Sequence, residues 1–68
     1  MSATVTEMYL EGIKEGRAML TKYPDISAAE ELDNLNRTIE GFAASSPVGQ
    51  MLRGERDFWR NQLKRAAH

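Results

Sequence analysis

Apolar residues return every three or four positions through most of this chain. Tyr9, Ile13, Gly16, Leu20 and Tyr23 follow spacings of four, three, four and three, and Ala28, Leu32, Leu35, Ile39 and Phe42 repeat the same rhythm. That spacing lays side chains along one narrow stripe of an α-helix. A third set, Val48, Met51, Leu52, Phe58, Trp59 and Leu63, covers a wider arc. Leu52, Trp59 and Leu63 share one face, joined by Val48 and Ala66. Met51 and Phe58, seven apart, form an adjacent stripe.

Local punctuation sets the helix ends. Thr4 precedes Glu7 by three positions and Ser27 precedes Glu30 by three, the spacing at which a hydroxyl and a carboxylate cap a helix start reciprocally. Pro24 disfavours helical geometry at Tyr23. Ser46 is a good N-cap and Pro47 suits the first helical position. The pattern predicts helices at about 4–23, 27–43 and 46–66 in a single domain over 1–68. The short Pro-Asp connection predicts an antiparallel hairpin of the first two, with the third completing a small all-α bundle. Its expected core is Tyr9, Ile13, Leu20, Leu32, Leu35, Ile39, Phe42, Leu52, Trp59 and Leu63. Gly12 and Gly16 each weaken the first helix by about 0.5–1 kcal/mol against alanine, so close packing is expected there, by Trp59 or Phe58.

A chain of 68 residues buries only about 60% of its unfolded surface. It has no cysteine, so no disulfide staples the core. Self-association is the staple that remains, and a homodimer is expected. The off-core residues Met51 and Phe58 are its candidate contacts.

Charge is unevenly spread within a net of −1. Residues 1–45 hold four basic side chains (Lys14, Arg17, Lys22, Arg37) and eight acidic ones (Glu7, Glu11, Glu15, Asp25, Glu30, Glu31, Asp33, Glu40), a net of −4. Residues 46–68 hold five basic ones (Arg53, Arg56, Arg60, Lys64, Arg65) against Glu55 and Asp57, a net of +3. An acidic part and a basic part can orient a partner. Glu7, Glu11 and Glu15 share a face, expected to be solvated or to meet a basic partner.

The chemical inventory argues against an enzyme. His68 is the single histidine and is terminal. No thiolate or histidine set offers metal ligands, and no nucleophile constellation occurs. Gly49 and Gly54 lack the Lys-Ser or Lys-Thr of a phosphate loop. No cofactor, metal or small-molecule substrate is expected. The N-terminus shows no basic and apolar leader, and no apolar run is long enough for a membrane, so a cytoplasmic location is expected.

Arg53, Arg56, Arg60 and Lys64 form a ridge at spacings of three, four and four. Together with the start "SPVGQMLR", this ridge is the strongest nucleic-acid signal in the chain. Glu55 and Asp57 interrupt it, and a DNA-binding domain of this size shows a clear basic excess. Arginine beside aromatics is also the composition of protein interfaces. The expected function is noncatalytic protein binding through Met51, Arg53, Arg56, Phe58 and Arg60. DNA binding through Arg53, Arg56 and Arg60 is the alternative.

At "YLEGIKEGRAML" and "SSPVGQMLRGERDFW" the chain resembles small uncharacterised α-helical proteins of temperate bacteriophages and prophages. The resemblance implies a setting in which such a protein binds a host or phage protein as an accessory, anti-host or regulatory factor. It carries no functional residues with it.

Overall fold

Thr4 opens the first helix with its side chain. The Glu7 amide donates to Thr4 Oγ1 at 3.1 Å, and the Thr4 amide donates to Glu7 Oε2 at 3.2 Å. Both bonds of the capping box are thus made. In the computed structural model, which describes residues 4–43 and 45–66, helix α1 then runs Val5–Lys22. The Tyr23 amide still reaches the Met19 carbonyl at 2.8 Å, and Pro24 ends the helix. Helix α2 runs Ala28–Ile39, its start capped by the Glu30 amide on Ser27 Oγ at 3.3 Å. Helix α3 runs Pro47–Ala66 behind Ser46, whose carbonyl accepts from the Gln50 amide at 2.9 Å.

The result is an all-α three-helix bundle. The helix order and starts follow the sequence pattern, but two features differ from it. Helix α2 stops at Ile39, not near 43. The amides of Gly41 and Phe42 bond to the carbonyls of Thr38 and Ile39, which tightens the last turn. Phe42 therefore leaves the stripe at the chain corner and is 40% exposed, not core. The second difference is in the packing. Among the described residues the backbones of α1 and α2 do not approach each other, and each lies against α3. The wide apolar arc of α3 accommodates two neighbours, and that arc makes it the central helix.

The α1–α3 contact is made backbone on backbone. A Cβ added at Gly12 would collide with the Met51 carbonyl oxygen, and one added at Gly54 would collide with the Tyr9 carbonyl oxygen. Gly16 leaves room for the Phe58 ring, which would lie 2.7 Å from a Cβ there. Gly12 sits beside Met51 and Glu55 while Gly16 sits beside Phe58, so α1 and α3 run in the same general sense.

Trp59 does not fill the space over the two glycines; that is the role of Phe58 and the α3 backbone. Trp59 is 1% exposed, in a cluster with Leu35, Ile39 and Phe58. Its ring meets Phe58 edge-on, with centroids 5.0 Å apart and planes at 81°. Ile13, Leu20, Leu32 and Leu52 pack around this cluster, with Ile26 and Ala28 at its edge. Leu63 is half-buried.

Opposite outcomes are expected at two glycines. Gly12→Ala gains helix propensity but forces α1 off α3, and should lower stability by about 1–3 kcal/mol or more. Gly41→Ala meets only the Thr38 carbonyl oxygen at 3.5 Å, and should be neutral or raise stability by up to about 1 kcal/mol. Chemical denaturation followed by circular dichroism measures both. Trp59→Ala should cost about 3–5 kcal/mol, comparable with the whole stability of a small domain. Native Trp59 emission should be blue-shifted; a water-like maximum would contradict its burial.

Candidate partner-binding face

The helical period divides α3 into three faces. Met51, Gly54, Glu55 and Phe58 turn toward α1, and Leu52 and Trp59 serve the cluster shared with α2. What is left to point outward is Arg53, Asp57, Arg60 and Lys64, at spacings of four, three and four. Arg60 and Lys64 are exposed, and Arg53 and Asp57 are half-buried.

Asp57 is the hub of this stripe. The Tyr9 hydroxyl, carried by α1, donates to its Oδ2 across 48 positions of sequence. On the other oxygen, Oδ1 accepts from Arg56 Nε at 3.1 Å, with Arg56 Nη2 at 3.0 Å and Arg60 Nη1 at 3.7 Å. Burial alone would raise the Asp57 carboxyl. The hydrogen bonds from Tyr9 and Arg56 and the charges of Arg56 and Arg60 outweigh it and bring the group below its ordinary value. The same hydrogen bond, then burial and the Asp57 charge, hold the Tyr9 phenol above its ordinary value against the pull of the two arginines.

The five candidate contact residues therefore fare differently. Phe58 is buried against Gly16 and Trp59, so no partner reaches it in the folded chain. Met51 is half-buried where α1 crosses, and its carbonyl faces Gly12. Arg56 is pinned to Asp57 with its side chain only 20% exposed. Arg60 shares Asp57 loosely and stays half open to solvent. Arg53 is the outlier. Its Nε is enclosed without an acceptor, and no carboxylate pairs with it among the described residues. Tyr9, expected as plain core, is half-buried with a polar tip that braces the stripe. His68 lies outside the described residues.

Glu55 faces the other way. It is half-buried, and no cation pairs with it among the described residues. Burial, then the charges of Glu15 on α1 and Glu31 on α2, push its carboxyl above the ordinary range. Among the described residues no three carboxylates or imidazoles draw together into a set that could hold a metal ion. Nor is any helix there long and apolar enough to cross a membrane. No family model, curated protein or solved structure matches the chain.

Two titrations with opposite signs follow. A raised Glu55 means the folded chain holds that proton more tightly than the unfolded chain. The penalty is absent below the ordinary glutamate value of about 4.3 and grows as pH rises through the raised one. Glu55→Gln should therefore raise Tm at neutral pH and leave it unchanged near pH 3, as thermal unfolding across pH will show. The lowered Asp57 contributes stability at neutral pH that is lost as pH falls through its folded value. Tyr9→Phe should remove part of that acid sensitivity, at a neutral-pH cost of about 1.5 kcal/mol, the lower end for a hydrogen bond to a charged group.

Proposed function

We propose that the chain is a noncatalytic protein-binding module that offers the outward stripe of α3 to a partner protein. The observation that carries this reading is Arg53. It is half-buried, its enclosed Nε lacks an acceptor, and it lies on the charged stripe of α3, of which Arg60 and Lys64 are exposed. Arginines of this kind, held in place and desolvated along the stem, are the residues that dominate protein interfaces. The resemblance to small helical prophage proteins supports an accessory, anti-host or regulatory setting for such a module.

Self-association belongs to the same reading. Met51 and Phe58 are used inside the fold, so its support moves to α1. Val5, Leu10 and Met19 on that helix are 48%, 56% and 38% exposed, and Tyr23 at its C-cap is 54% exposed. Apolar side chains left in water on a small core favour a second copy.

Capture from a bacterial lysate treated with nuclease, read by mass spectrometry, tests the reading. A protein should be retained in proportion to the bait. Recovery of nucleic acid alone, lost on nuclease treatment, would favour the DNA alternative. Light scattering at micromolar concentration should give twice the protomer mass of 7.7 kDa. A constant protomer mass would remove the dimer from the reading.

A further inference from the structure

Arg53 and Arg60 stand seven positions apart on α3, which is two helical turns and about 10.5 Å along the axis. Between them lies Asp57, fixed by Tyr9 from one side and by Arg56 from the other. The two guanidinium groups thus flank a carboxylate that already has its own partners, so they are the places for negative charge on this part of the stripe. We infer that the stripe receives an acidic segment of a partner protein whose two carboxylates straddle Asp57, one on Arg53 and one on Arg60. The inference rests on the protein-binding reading and adds to it the chemistry of the partner.

Three features favour this occupant over duplex DNA. Each strand of a duplex carries a phosphate for about every 3.4 Å of helix axis, so DNA laid along the stripe brings charge close to Asp57 as well as to the arginines. The carboxylate of Asp57 is not free to swing away, because both of its oxygens are held. Asp57 carries its charge at neutral pH, as an aspartate does at its ordinary value. Carboxylates two helical turns apart avoid that repulsion and meet guanidinium groups at both ends, a pairing with good geometry for arginine.

Arg53 is suited to anchor such a segment. Its Nε is enclosed without a partner, which leaves the guanidinium short of an acceptor that an incoming carboxylate can supply. A side chain already held by its surroundings loses little freedom on binding. Arg60 is 49% exposed and only 3.7 Å from a shared oxygen, so it can turn to a better acceptor. Long-range charge works in the same direction. The net +3 of residues 46–68 draws an acidic segment to α3, and the net −4 of residues 1–45 keeps it off the other helices.

Fluorescence anisotropy with labelled helical peptides tests the inference, using the full chain at about 0.15 M salt. One peptide carries glutamates at every seventh position. A second has the same composition with the glutamates adjacent, and a mixed-sequence DNA duplex is the third probe. The seven-spaced peptide should bind about tenfold more tightly than the adjacent one. Arg60→Glu should weaken it about tenfold with helix content unchanged, and Arg53→Lys should weaken it by loss of the planar fork. Arg65→Glu, off the stripe, should weaken it far less than Arg60→Glu, by the long-range charge alone. Two results would overturn the inference: equal binding of both peptides with no response to Arg60→Glu, or tighter binding of the duplex. If nuclease-treated lysate still yields a protein that Arg60→Glu does not release, the protein-binding reading stands and this one falls.

Discussion

The bundle depends on one approach between main chains. Where α1 crosses α3, Gly12 and Gly54 remove the two Cβ atoms that would hold the helices apart. In water, glycine inside a helix is a local weakness. Here it lets the α1 backbone settle against Met51 and Glu55, and brings Gly16 over Phe58. The close seating then places the Tyr9 hydroxyl within reach of Asp57. A helix pair held one side chain further apart would leave Asp57 to its neighbouring arginines alone, and the outward stripe would lose its fixed centre.

The position of α3 explains the uneven use of its residues. It is the one helix that both others touch. Its apolar arc is consumed by Phe58 against Gly16 and by Trp59 in the cluster with Leu35 and Ile39. Its charged residues divide accordingly. Glu55 is drawn toward the acidic helices at the cost of a raised pKa, and Asp57 is drawn into a set of donors that lowers its own. Two carboxylates only two positions apart thus sit in opposite electrostatic settings, because a helix turns about 200° over two residues.

Much of the fold was legible because its determinants are local. Thr4 with Glu7, Ser27, Pro24 and Ser46 with Pro47 act within one turn, and the structure uses each of them. The periodic stripes also identified Leu35, Ile39 and Trp59 as core. The end of α2 was less legible, since Phe42 continues the stripe on paper while the chain turns two residues earlier. The centrality of α3 was present in its wide arc, but an arc of that width fits a second copy as well as a second helix. Gly54 has no sequence partner that marks its role, and its pairing with Gly12 becomes visible only when α1 and α3 meet. The Tyr9–Asp57 bond is of the same kind. No pattern within a turn joins residues 48 positions apart. In the sequence the ridge is a row of equal arginines, whereas packing separates a pinned Arg56 from an Arg53 with an unsatisfied Nε.

The central place of α3 also governs the order in which the fold can form. During synthesis α1 and α2 appear first, and their backbones do not pack against each other. The cluster on which both stripes pack lacks Phe58, Trp59 and Leu52 until residues 47–66 have been made. Isolated helices of 18 and 12 residues are marginal in water, so a growing chain gains no stepwise reward for finishing the first of them. Assembly instead awaits its longest-range contacts, those between α1 and α3, and then collects both interfaces together. A chain built this way passes from largely unfolded to folded in one event, and its first 46 residues stay open to capture by other proteins until that event occurs.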